Sequence, residues 1–273
     1  DDLVASVPAE AGEIDLQANA SGKVVLIDAS HGASIDREQL APVQQSLTAS
    51  GAEVRILAAQ QRGRTGAESA FNASLRSADA IVILGAEQQY SQAQVAGLER
   101  FGNAGGRILV VKEPPQMDLT SILFIGSRER QEAAPLPLTP LMSRFGIAFG
   151  NGYLYNMEDY DTNYRNVYGV PRGNSTLTED VDRLVFHEST PVLGGTPVVR
   201  ATEGTELSQT RTTDQYGLVT RSGNLVAIGD SSVLGQGYYR RADNEVFVGN
   251  LLEFLVSGEK SPENAPALPA TNS

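Results

Sequence analysis

The chain has 273 residues, 41% of them hydrophobic and 20% charged, enough to bury a real core in one large domain or two small ones. Its net charge of −12 argues against unaided binding to nucleic acid, whose phosphates need Lys and Arg. The absence of cysteine excludes disulfides, thiolate metal sites and cysteine nucleophiles.

No stretch approaches the roughly 20 apolar residues that span a bilayer. No charged region followed by an apolar one opens the chain, so any signal peptide is expected to have been removed. Residues 1–22 read as a polar N-terminal extension and residues 259–273 as a Pro/Ala-rich tail, leaving a single α/β domain over 23–258. Two linker-like ends fit an ectodomain released from membrane anchors, and frayed termini would look the same. The sequons at Asn19, Asn72 and Asn174 also fit an extracytoplasmic protein.

Lys23 to Asp28 (KVVLID) is a continuous apolar run ending in an acid, the pattern of a strand buried on both faces. Asp36, with Gln39 three residues on, offers a helix N-cap, and Leu40, Val43 and Leu47 follow at helical spacing. Gly51 closes that helix, and Glu53 to Leu57 is the next strand. Ala80 to Leu84 is a third. Ser91 caps the following helix, with Gln94 at its third position and Val95, Leu98 and Phe101 as its apolar stripe. Gly105 and Gly106 end it, and Arg107 to Val111 is a fourth strand. Strands separated by helices of this length pair in parallel through right-handed crossovers. The fold class is therefore α/β: a doubly wound, mostly parallel sheet flanked by helices.

Pro114, Pro115, Pro135, Pro137 and Pro140 interrupt the middle, where a short helix is expected from Thr139 to Phe145. Gly150 to Gly173 is rich in Tyr, Asn and Asp, shows no period, and reads as an irregular insertion. Leu184 to Thr220 suggests short extra strands and loops. Leu225 to Asp230 (LVAIGD) is another buried strand ending in an acid. A final helix follows, capped by Asp243 or Asn244 and ending near Gly258. Its Leu251, Leu252 and Leu255 are expected to dock on the sheet beside that strand.

In order, VVLIDASHG, LTPLMSRFGIAFGNGYLYN and VAIGDSSVLG…DNEVFVGNLLEFLVSGE resemble a family of degenerate class I glutamine-amidotransferase-like domains. That family includes the auxiliary component of gliding-motility ABC transporters, a related domain of an intraflagellar-transport subunit, and archaeal proteins of unknown function. Its late strand ends in a Gly-Asp-Ser/Thr turn, here Gly229, Asp230 and Ser231, followed by an Asn-bearing helix, here around Asn250. The resemblance spans most of residues 23–258. It implies a non-catalytic module, often extracytoplasmic and next to a membrane or transporter, that works by binding or assembly. It implies no substrate and no cofactor. It also accounts for the missing nucleophile, since class I amidotransferases need a Cys at a strand-to-helix turn.

Ligands of a doubly wound sheet bind at the carboxyl ends of its strands. That rule nominates Asp28, Ser30, His31, Gly32, Glu87, Glu113, Asp230, Ser231 and Ser232. If Asp28, His31 and Asp230 converged, with Ser231 beside them, the rim would suit a hydrolase or a metal-dependent enzyme. Short acids after strands also commonly cap the next turn, and His31 before a glycine reads as a loop residue. On that second reading, His31→Ala costs less than about 1 kcal/mol. The Gly-Asp-Ser run resembles that of GDS-type esterases, but those place it at the first strand and need a later Asp-x-x-His. Neither His31 nor His187 follows it here. A G-x-S-x-G elbow, a dinucleotide fingerprint and a P-loop are all absent from the sequence, and no metal ligand set is assigned.

The most unusual segment, Gly150 to Gly169, holds Tyr153, Tyr155, Tyr160, Tyr164 and Tyr168 together with Glu158, Asp159 and Asp161. Tyrosine offers a flat apolar face and a hydroxyl, which suits a protein partner or a carbohydrate. The acids could take Ca²⁺, although the EF-hand loop spacing is missing. The other reading is that the tyrosines cover a sheet edge and pack inward. A working surface requires at least two of the five to be exposed. The chain is also compatible with a homo-oligomer.

Overall fold

The computed structural model describes residues 14, 16, 18–32, 40–58, 64–112, 137–235 and 237–259. In the first half, the apolar runs become β1 (Val24–Ala29), β2 (Glu53–Ala58), β3 (Ala80–Leu84) and β4 (Arg107–Val111). Between them lie α1 (Ala41–Ala49), α2 (Arg64–Ser77) and α3 (Gln92–Asn103). The strands pair in parallel in the order β2-β1-β3-β4. Successive residues point to opposite faces, so each face gets its own core. Val82 and Leu84 of β3 pack with α1 and the C-terminal helix α5 (Asn244–Val256). Ile81 and Ile83 pack with α2, α3 and the short α4 (Thr139–Arg144).

The second half extends the same sheet. Strand β13 (Leu225–Ile228) pairs in parallel with β4. Beyond it, β12 (Gly217–Ser222), β10 (Thr196–Ala201), β7 (Asn166–Pro171) and β8 (Leu184–His187) add in antiparallel, completing nine strands. Two small ribbons pair β6 (Leu154–Tyr155) with β11 (Glu206–Leu207) and β5 (Ile147–Phe149) with β9 (Val192–Gly194).

Several sequence expectations meet their residues closely. The capping box of α3 forms: Ser91 Oγ accepts the Gln94 N–H and Gln94 Oε1 accepts the Ser91 N–H. Leu251, Leu252 and Leu255 of α5 are buried in the core. Lys23 Nζ meets the Gly258 carbonyl at 2.7 Å, tying together the two ends of the expected domain. The cap expected at Asp36 and Gln39 lies outside the described residues, as does Glu113.

Others differ. Helix α2 was not anticipated, because its stripe is written mostly in Ala and Ser, with only Phe71 and Leu75 as large apolar residues. The polar N-terminal extension contributes to the core, since Ile14 is 1% exposed and its N–H bonds Ser46 Oγ. The Tyr-rich stretch is not irregular throughout: it contains β6 and β7, and Tyr168 stands on β7.

The antiparallel half curls back on the parallel half. Register shifts at Pro197/Val199 and Val199/Arg200 interrupt the β10–β12 ladder, and such bulges add twist. As a result β8, at the far edge of the sheet, returns to the end of β13. Its outward N–H groups are met by side chains rather than by another strand. Asp243 accepts from Arg183, Asn244 from Val185 and Asp230 from His187, at 2.9, 3.0 and 2.7 Å. Asn244 Nδ2 also donates to the Val185 carbonyl at 2.9 Å, so one buried amide does the work of a pairing strand. Replacing it would leave both backbone groups of Val185 unmatched. Asn244→Ala is therefore expected to lower stability by about 2–4 kcal/mol, seen in urea melts as a lower midpoint at unchanged slope.

Candidate functional site

The sheet presents two polar clusters at the strand ends, and the sequence candidates divide between them. The first lies after β1. The Asp28 carboxylate is buried, and Oδ1 accepts the Ser30 N–H and hydroxyl at 2.8 and 2.5 Å. Its Oδ2 accepts the Tyr90 hydroxyl at 2.5 Å and faces His31 Nδ1 at 2.8 Å. His31 Nε2 lies 3.1 Å from Gln94 Oε1, the same oxygen that takes the Ser91 N–H. Both ring nitrogens are thus held by hydrogen-bond partners. The ring stacks on Tyr90 at 3.8 Å and meets the edge of Phe71 at 5.6 Å.

Burial pushes the Asp28 carboxyl up, but the hydrogen bond and charge of His31 and the bonds from Ser30 and Tyr90 outweigh it. The group sits below its ordinary value. For Tyr90, burial first and then the Asp28 charge raise the hydroxyl well above the usual tyrosine range. His31 lies in the turn at the strand-end rim and is hydrogen-bonded there, as expected, but it is not lightly held. His31 is 8% exposed, and the two rings against it come from α2 and the loop before α3.

The second cluster lies after β13. Asp230 Oδ1 accepts the Ser232 N–H at 2.8 Å and Oδ2 accepts the His187 N–H, while the Ser232 hydroxyl also donates to Oδ2. Ser231 is buried and precedes a 3₁₀ turn over Ser232–Leu234. Strands β3 and β4 separate β1 from β13, so Asp230 stands roughly 14 Å from Asp28 by strand spacing alone. The structure brings Asp28, Ser30 and His31 together, but Asp230 and Ser231 belong to the other cluster. Both acids cap their turns, as short acids after strands do. Among the described residues, no three of His, Asp and Glu are grouped to hold a metal ion.

The Tyr-rich face adjoins the second cluster. Asn166 Oδ1 accepts from the Tyr238 hydroxyl at 3.0 Å and lies 2.7 Å from His187 Nδ1, and Asn166 Nδ2 donates to the Asp161 carbonyl. Burial holds the His187 ring below the ordinary histidine value. Asn156, fully buried, accepts the N–H groups of Glu158 and Asp159 and donates to the Glu203 carbonyl. Between these two anchors, Tyr160 is 41%, Tyr164 38% and Met157 63% exposed. Tyr153, Tyr155 and Tyr168 are half-buried.

The arginines around this face carried no signal in the sequence. Arg165 lies over the rings of both Tyr153 and Tyr164, Arg183 over Tyr168 and Arg241 over Tyr238. Arg183 pairs with Asp159, and Arg241 with Asp161 at 2.6 Å. Those acids are therefore already matched by cations rather than set out for Ca²⁺.

No protein-family model matches the chain, and no curated protein matches it in sequence. Among solved structures, the mmIFT52 N-terminal domain is similar with a TM-score of 0.63 at 13% identity, covering 87% of this chain and 99% of that one. A putative ThuA-like protein from Parabacteroides merdae has a TM-score of 0.51 at 10% identity, covering 88% and 92%. The glutaminase domain of a Trypanosoma brucei CTPS is matched at a TM-score of 0.40 and 8% identity, and nothing further rests on it. At these identities the likeness is one of fold, and a fold of this kind hosts many functions.

Removing the imidazole would leave the buried Asp28 carboxylate without one of its hydrogen-bond partners, and the Tyr90 and Phe71 rings without the ring they pack against. His31→Ala is expected to cost about 3 kcal/mol, well above the loop value, as a shift in denaturant midpoint at pH 7. Because the folded Asp28 carboxyl lies below its unfolded value, its stabilisation is complete above that value and fades as acid titrates the folded group. The stability gap between the wild type and Asp28→Asn should therefore hold at neutral pH and narrow below about pH 4.

Proposed function

We propose that the protein is a non-catalytic binding or assembly module. It engages a protein partner through the Tyr-rich face, in an extracytoplasmic setting beside a membrane or transporter. One observation carries this reading: Met157, Tyr160 and Tyr164 stand exposed on a segment anchored at both ends by buried asparagines. Aromatic surface that is already ordered loses little entropy when a partner arrives.

The resemblance to degenerate amidotransferase-like domains supports a non-enzymatic role. So does the lack of any cysteine to act as the amidotransferase nucleophile. The alternative, a hydrolase or metal-dependent enzyme using Asp28, His31 and Asp230, has its third member out of reach of the other two. For the compartment, Asn174 is an exposed loop sequon, whereas Asn72 bonds the Ala93 carbonyl on α3. Among the described residues no helix is long and apolar enough to cross a membrane.

A photo-crosslinking residue at position 160 of the full chain, in cells that make it, is expected to trap one partner reproducibly. The same residue at position 77, at the end of α2, should not trap it. With that partner purified, Met157→Asp and Tyr164→Ala should each weaken binding by roughly tenfold while leaving the melting temperature in place. Equal crosslinking from both positions, or unchanged affinity in both variants, would count against the Tyr-rich face.

A further inference from the structure

The two margins of the nine-stranded sheet are finished differently. At β8 the outward N–H groups are met by Asp243, Asn244 and Asp230. Strand β2 has no such seal. Its register with β1 runs unbroken from Glu53 to Ala58, and its sequence EVRILA contains no proline. The Glu53 N–H donates to the Lys23 carbonyl, so Glu53, Arg55 and Leu57 turn their backbone groups toward β1. Val54 and Ile56 turn theirs outward, and among the described residues those groups have no hydrogen-bond partner. The edge is open to solvent as well. Ile56 is 43% exposed, and the side chains of Glu53 and Arg55 are 59% and 43% exposed.

The charges on this edge select its occupant. An open edge is usually protected by charges of one sign, often lysines, which repel a second copy. Strand β2 instead carries opposite charges two residues apart, Glu53 and Arg55, bonded to each other at 2.7 and 2.8 Å. Such a pair is self-complementary about a two-fold axis through the residue between them. If β2 pairs antiparallel with its own copy about Val54, each Glu53 falls opposite Arg55 of the other chain. Val54 then faces Val54 with the outward groups that a central hydrogen-bonded pair needs. Opposite charges set directly across a ladder favour a register, and like charges disfavour it. An axis through Arg55 would set two guanidinium groups face to face. An axis through Ile56 would put Arg55 opposite Leu57 and leave both charges without a partner across the ladder.

We infer that β2 is a homodimerisation edge, where two copies of the chain join antiparallel about Val54 into one continuous sheet. An edge of six residues buries less than the roughly 1,200 Å² of a standard interface, so the dimer forms reversibly. Its dissociation constant is expected on the order of 10–500 µM. The Tyr-rich face belongs to the other half of the sheet and stays free in both copies. The inference therefore does not depend on the function proposed for that face.

Sedimentation velocity of the full chain from about 5 µM to about 1 mM should show its average mass rising toward that of a dimer. Arg55→Glu sets two carboxylates across the ladder and should weaken association at least roughly tenfold. Adding Glu53→Arg restores opposite charges in the same register and should return association to within about threefold of the wild type. Val54→Pro removes an outward N–H that β1 does not use, so it should keep the fold and abolish the dimer. If that variant folds poorly, the exposed Arg55→Glu change and its reversal still decide the matter. The chain has no cysteine, so Val54→Cys introduces a single thiol. Across a hydrogen-bonded pair its Cα atoms would stand about 5.5 Å apart, within disulfide reach, and mild oxidation should yield a covalent dimer. Ile56→Cys, with its two copies roughly 14 Å apart, should not bridge. The inference is overturned if the chain stays monomeric to about 1 mM, or if Val54→Pro and Arg55→Glu both leave association unchanged. It also falls if the reversed charge pair fails to restore association, or if Ile56→Cys bridges as readily as Val54→Cys.

Discussion

The outer edge of β8 is the constraint on which the second half of the molecule depends. A terminal strand in an open sheet normally leaves alternate backbone groups to water or to another chain. Here the N–H groups of Arg183, Val185 and His187 go to Asp243, Asn244 and Asp230, and the sheet can close on itself without a tenth strand. Those three side chains lie at the turn after β13 and at the start of α5. The seal therefore also fixes where the final helix begins and how β7 and β8 sit over the end of the parallel half. The asparagine that anchors the Tyr-rich loop, Asn166, is paired across β7 and β8 to His187, itself a member of the seal.

This arrangement gives the two halves of the sheet different characters. At the β1–β3 reversal the strand ends are covered by a compact network around Asp28, with a cleft beside it. At the antiparallel end the surface is aromatic and laced with arginine, and each guanidinium spans a ring and a carboxylate. Hydrogen-bonded charges of this kind contribute little to stability at an exposed site, but they narrow the set of loop conformations. That matters more for recognition than for folding.

The parallel half was legible because its residues are chosen for local reasons. AIVIL and RILVV are uniformly apolar, and Ser91 with Gln94 writes a helix start in four residues. The turn cap made by Asp230 was legible, but its bond to the backbone of His187, on a strand 43 positions away, was not. His31 was misjudged for a related reason: what buries it is Phe71 and Tyr90, and no spacing in the sequence links them to it. In β7 the strand period is masked by Gly169, where an added Cβ would come within 2.7–2.9 Å of Val199, Phe186 and Leu218. A position with no room for a side chain cannot advertise its burial through hydrophobicity.

The opposite edge of the sheet was left open. Among the described residues β2 is bonded to β1 alone, and most of its residues, including Ile56 at 43%, are exposed. One margin of the sheet is thus locked by side chains while the other is held by a single ladder. Local openings that fall short of global unfolding begin where buried contacts are fewest. In amide hydrogen exchange the sheet would then behave as a zipper with one fixed end, fraying from β2 inward through β1 and reaching β8 only when the whole domain melts.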